Sequence, residues 1–279
     1  MLLLGQGQAI GEEDRLLLRF EWPDSHSTPE RPTPRREGGR ILFAWSAAAG
    51  RVPAPEHIRA IAAACRAGRY PFHPTTDVLA QASLAGLAER LEAAEKAGTE
   101  VAVLHLLCHG GRVGSSFGLG LDGEGGAVML DAAQVRKQLA PFAHRVRLVV
   151  LSACDSGHPG PLGSQLGSVA QQLHRSGFQA VIASRYPLSV AGSIQLTETL
   201  YHQLLSGQAS LEDAFLAVRK RLSREETRLP REQQRLDCRA CSFTPGKTMA
   251  TTPGRCSTGL TVACWLSSPS TARSFWSRG

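Results

Sequence analysis

The chain has 279 residues, 42% of them hydrophobic, enough for one sizeable core, yet no apolar run approaches the ~20 residues of a bilayer-crossing helix. Its formal net charge of +7 does not mark a nucleic-acid binder, because the basic residues gather at 31–40 and 219–235, the second cluster interleaved with Glu225, Glu226 and Glu232 as on a solvated helix. Seven cysteines, an odd number, and a Leu2-Leu3-Leu4 start too short for a secretory leader argue against a disulfide framework, so a cytoplasmic protein with neither a membrane nor a nucleic-acid partner is expected.

Residues 1–37 read as an N-terminal segment with one short strand-like piece (16–22), followed by a Pro/Ser/Arg/Gly-rich flexible linker that cannot pack. A regular rhythm then begins. A strand over 40–46 leads to a helix opened by Pro55 and closed after Ala67 by Gly68. Residues 70–76 are short and extended, and Ser83 caps a helix to about Ala97 that Gly98 closes. The apolar run 101–108 is a strand. Two short alternating runs around Asp122-Gly123 make a β-hairpin, and Asp131 caps a helix through Leu139. The next run, 147–152, has no period-2 alternation, which suits a strand buried on both faces. A helix near 164–175, a strand at 179–184 and helices near 189–205 and 210–227 complete the series. Strands alternating with helices predict an α/β fold, a three-layer α/β/α sandwich around a mainly parallel sheet, in a domain spanning 38–235. Residues 236–279, rich in Ser, Thr, Cys, Arg and Trp, show no period and are expected to form an irregular tail.

Two strand ends carry the chemistry. The 101–108 run ends in His109-Gly110-Gly111, and the 147–152 run ends in a small-residue turn presenting Cys154. Ligands of open α/β sheets sit beyond the carboxyl ends of the strands. A thiol is a good nucleophile only as a thiolate, which an adjacent imidazole produces by taking its proton. Small residues after His109 and Cys154 leave backbone N–H groups free to face an oxyanion. Taken singly, each residue reads as core or turn filler; at matching strand ends they read as a dyad. His105 and Cys108 read as packed residues of the strand, with His105 on the same pleat face as His109 and an orienter's part open to it. Gly114-Ser115-Ser116-Phe117-Gly118 matches G-x-S-x-G in letters only, since a nucleophile elbow needs a strand before it and a helix after it. Labelling at Ser116 is what a serine hydrolase would predict. Cys238-x-x-Cys241 with Cys256 and Cys264 lacks the spacing of a zinc site, and no metal or other cofactor is expected.

The ordered motifs H-L-L-C-H-G-G, F-G-L-G-L-D-G and V-V-L-S-A-C-D-S-G resemble the CHAT domain family, bacterial cysteine peptidase domains related to caspases and separases and often found beside tetratricopeptide repeats. The likeness begins upstream at R-I-L-F-A-W-S and continues downstream through Y-H-Q-L-L-S-G-Q-A-S-L-E-D-A. The resemblance implies a caspase-like fold and endopeptidase chemistry on a protein or peptide substrate. It implies His109 and Cys154 as the dyad, with the Gly110 and Cys154 amides as the oxyanion hole. Asp155 stands where caspases carry Arg or Gln, and Ser156 adds a residue before the glycine, so cleavage after Asp is not implied. The loop holding Arg185 and Tyr186 is expected, by resemblance, to shape the pocket for the residue before the scissile bond, although Arg185 also reads as a plain surface arginine. Asp155 either lines that pocket or caps the following turn.

The alternative to a peptidase is an interaction or scaffold module of the same fold with an idle dyad. No repeats of about 34 residues occur in the chain, so a tetratricopeptide-repeat partner would lie outside it. The closing strand and aromatic stretch that the family implies find no match after Leu236, and a shifted reading frame from about residue 237 would account for that.

Overall fold

A computed structural model describes residues 19–20, 39–114, 116–153, 168–184, 189–207, 209–226 and 262–266. In chain order, β1 (Arg19–Phe20) and β2 (Arg40–Trp45) precede α1 (Ala54–Gly68), a single-turn α2 (Pro74–Asp77) and β3 (Val78–Leu79). Helix α3 (Leu84–Lys96) starts at Ser83, whose hydroxyl accepts from the Gly86 amide at 3.0 Å, and stops before Gly98, which takes a φ of 66°. β4 (Val101–Leu107) runs almost directly into β5 (His109–Val113), followed by β6 (Ser116–Gly123) and β7 (Gly126–Leu130). Asp131 opens α4 (Ala132–Leu139) through a full capping box with Gln134. β8 (Leu148–Ser152), α5 (Val169–Arg175), β9 (Ala180–Ser184), α6 (Val190–Tyr201), α7 (Leu211–Glu226) and β10 (Val262–Leu266) follow. Between α6 and α7 the helix widens to a π turn over His202–Ser206.

The main sheet has the order β1-β10-β9-β8-β4-β2-β3. Its five strands from β9 to β3 are parallel, β10 is antiparallel to β9, and β1 is parallel to β10. Helices α3, α4 and α5 bury Leu87, Leu91, Val135, Leu139 and Leu173 against Leu104, Leu106, Val149 and Leu151 on one face. Helices α1, α6 and α7 bury Ile61, Leu196, Leu200, Phe215 and Val218 against Phe43, Val103, Val150 and Ile182 on the other. Both faces being covered, β4 and β8 are buried at every position, which is why their sequences do not alternate. The expected three-layer α/β/α sandwich is what forms. No described helix is long and apolar enough to cross a membrane.

Several expectations need correction. Gly68 does not close α1 with a left-handed turn; Arg69 does, at φ 59°, while Gly68 stays helical. A Cβ at Gly68 would collide with the Leu205 carbonyl oxygen, so this glycine lets α1 approach the π turn. The stretch 70–76, expected to be extended throughout, turns helical in its second half, where Pro74–Asp77 form α2. The hairpin turns at 124–125 rather than at Asp122-Gly123, because Gly123 and Gly126 are paired. That hairpin also gains a third strand: β5 pairs antiparallel with β6, giving a separate sheet β5-β6-β7. Residues 236–279 were expected to hold no packed element, yet 262–266 supply β10, with Cys264 opposite Ile182 and Trp265 opposite Val181. With that strand in place, a missing closing strand no longer motivates a shifted frame.

Candidate active site

Because β2, β4, β8 and β9 are parallel neighbours, their carboxyl ends meet at one rim of the sheet. There Leu107 of β4 is paired with both Trp45 of β2 and Ser152 of β8. The rim is sewn together beyond the ladders by the Ser46 amide on the Leu107 carbonyl at 3.0 Å and the Cys108 amide on the Ser152 carbonyl at 3.4 Å. The two strand ends singled out in the sequence are therefore adjacent. β8 ends at Ser152, two residues before Cys154, alongside the strand that leads to His109.

His109 is half-buried at the start of β5, opposite Gly120. Its Nε2 lies 3.2 Å from the Arg51 carbonyl oxygen. A carbonyl can only accept, so Nε2 is the donor, and in the neutral form of the ring this places the lone pair on Nδ1. The carbonyl fixes both tautomer and ring angle. It reaches the ring because Gly50 turns the chain after β2 with a φ of 138°, and a Cβ there would stand 2.9 Å from Nε2. Gly110 follows in β5, paired with Leu119. Among the described residues β5 is an edge strand, so alternate amides along it face away from β6.

Beneath the rim lies a sealed polar cluster. His105, fully buried on β4, has Nε2 2.9 Å from Ser152 Oγ and Nδ1 3.1 Å from the Tyr201 hydroxyl. His57 of α1, also fully buried, has Nδ1 3.0 Å from Thr197 Oγ1 and Nε2 3.2 Å from Ser193 Oγ, both on α6. The His105 ring stacks on Tyr201 at 5.7 Å and meets Phe43 and His57 edge-on at 5.3 and 5.4 Å. Burial drives His57 down to about 4, Glu56 opposing it. It drives His105 well below the ordinary value, with His57 adding to the effect, so both rings are neutral. Burial likewise pushes the Tyr201 phenol well above its usual range.

Of the residues expected at the site, His109 and Gly110 stand at the rim. Cys154, Asp155, Arg185 and Tyr186 lie outside the described residues. Ser116 opens β6 behind a β-hairpin turn, with no strand-to-helix elbow around it. The sequence reading missed Gly50 and Arg51. Arg51 contributes a backbone carbonyl, which leaves no mark on residue identity; the usable signal was a glycine after a buried strand. His57 was also missed, being one polar residue on an otherwise apolar helix face.

A three-layer sandwich with a parallel core, a histidine at the carboxyl end of one central strand and a cysteine following the next defines a caspase-like domain. The chain belongs to the CHAT domain family, whose pattern it matches over residues 33–273, a span that includes β10. That family is caspase-like and related to cysteine peptidases. No curated protein matches the chain.

Proposed function

We propose that the chain is a cysteine endopeptidase working through His109 and Cys154 by a thioester intermediate. The observation that carries this reading is the Arg51 carbonyl on His109 Nε2, which leaves Nδ1 as a base at a rim where β8 leads into Cys154. His109 Nδ1 takes the Cys154 thiol proton, and the thiolate attacks the substrate's peptide carbonyl. The resulting oxyanion accepts hydrogen bonds from the Gly110 and Cys154 amides. As the tetrahedral carbon collapses, its C–N bond breaks and the leaving amine takes the proton from His109 Nδ1. Water, giving a proton to the same nitrogen, then attacks the thioester; a carboxylic acid leaves and the thiol is restored. Asp155, Arg185 and Tyr186 are the proposed lining for the residue before the scissile bond, and a cation at Arg185 would favour an acidic side chain there.

The test is cleavage of a peptide library by the wild-type chain, Cys154→Ala and His109→Ala. Cleavage by the wild type alone supports the dyad. Cleavage retained in either variant rejects it, and no cleavage by any of the three favours a scaffold with an idle dyad.

A further inference from the structure

We propose that His105 is a positioning residue for the dyad, its bond to Ser152 holding the end of β8 against β4 and so setting the approach of Cys154 to His109. This rests on the peptidase reading above. Ser152 is the last residue of β8 and stands two positions before Cys154. The main-chain bond at this point, from the Cys108 amide to the Ser152 carbonyl, is long at 3.4 Å. The side-chain bond from His105 to Ser152 Oγ is 2.9 Å, shorter than that main-chain bond, and adds a second tie at Ser152 to the β4–β8 ladder. His105 cannot swing away from it. The ring is fully buried, stacked at 13° on Tyr201, braced edge-on by Phe43 and His57, and tethered at Nδ1 by the Tyr201 hydroxyl. Mere space-filling does not call for this group: an apolar ring would need no partners, whereas a buried imidazole must find two. The ring stays neutral because burial opposes its charging. It thus offers one donor and one acceptor, matched to one hydroxyl on each side.

The two nitrogens can be separated by substitution. Gln places its amide near Nε2 and can keep the Ser152 bond, whereas Asn places its amide near Nδ1 and keeps only the Tyr201 bond. The readout is the rate at which iodoacetamide modifies Cys154 in the full chain, followed by peptide mapping across pH 5–9, with thermal melting recorded for every variant. His105→Asn and Ser152→Ala should slow modification at pH 7 by about tenfold or more, and move its pH profile toward that of an unassisted thiol. His105→Gln and Tyr201→Phe should stay within about threefold of wild type, since the strand tie survives in them. Equal rates in the Asn and Gln variants at similar melting temperatures would overturn the proposal, as would a wild-type rate in Ser152→Ala. A wild-type Cys154 no more reactive than in the unfolded chain would overturn the peptidase reading itself, and this inference with it.

Discussion

Within a single stretch of chain, His105 and His109 occupy opposite circumstances. His105 sits in the interior of β4, sealed from solvent, with both nitrogens engaged by hydroxyls. His109 sits two residues past the end of that strand, half-buried, with Nε2 on a carbonyl. The difference separates two uses of one side chain. A general base, the part proposed for His109, needs a lone pair within reach of a substrate; the Arg51 carbonyl occupies only Nε2 of His109, while His105 has committed both nitrogens. His105 serves instead as a rigid, neutral strut. Residue type alone does not distinguish these uses; the partner atoms do.

The largest expected effect breaks this contrast at its reactive end. His109→Ala should lower the rate of peptide cleavage by about 10³-fold, since the general base and acid are lost together. Its melting temperature should barely move, because the ring is half-buried and its one bond goes to a carbonyl that can turn to water. Cys154→Ala should remove cleavage at least as completely. If His109→Ala instead lowers the melting temperature sharply while the fraction still folded cleaves at the wild-type rate, His109 is a structural histidine and the contrast collapses.

Part of this contrast was legible in the sequence. The continuous apolar runs of β4 and β8 announce strands covered on both faces, and the residues following them fall at the sheet rim by topology alone. The caps at Ser83 and Asp131 were legible because their hydrogen bonds are local. What escaped is non-local or backbone-borne. β5 begins His-Gly-Gly, and glycine carries no strand preference, so only its pairing with β6 reveals it. β10 is a five-residue strand in a tail without period, fixed by its ladder to β9. The Arg51 carbonyl could not be inferred from an arginine. The link between His57 and α6 spans 136 positions to Ser193 and depends on two helices packing side by side.

The second effect sharpens the buried half of the comparison. His57 has its pKa lowered from 6.5 to about 4. Between those values the unfolded chain binds a proton that the folded chain refuses, so stability is complete above pH 6.5 and falls as pH drops toward 4. Two and a half pH units correspond to about 3 kcal/mol. His105 acts in the same direction. Urea unfolding between pH 7 and 4 should show this loss, and His57→Gln should flatten the slope. A stability that is level down to pH 4 would mean these histidines are not sealed as neutral rings.

Two glycines then separate the interior from the rim by a single methyl each. Gly68→Ala drives a Cβ into the Leu205 carbonyl and pushes α1, the helix that carries His57, off the π turn. The expected cost is about 2 kcal/mol of stability, read from urea unfolding.

Gly50→Ala acts at the other end. Its φ of 138° is a conformation that alanine resists, and the new methyl would stand 2.9 Å from His109 Nε2. Relief requires either a backbone shift at 50–51 or a rotation of the imidazole, and both weaken the Arg51 carbonyl bond that selects the tautomer. With Nε2–H no longer held, the ring can place its proton on Nδ1, where a lone pair is required. Cleavage should fall about tenfold, which is about 1.4 kcal/mol in transition-state terms, mainly in kcat because substrate contacts are untouched. The stability loss should stay near 1 kcal/mol, the lower end of what a strained backbone position costs. A fall in KM-dependent binding with kcat intact would place Gly50 in the substrate groove and detach the Arg51 carbonyl from the chemistry.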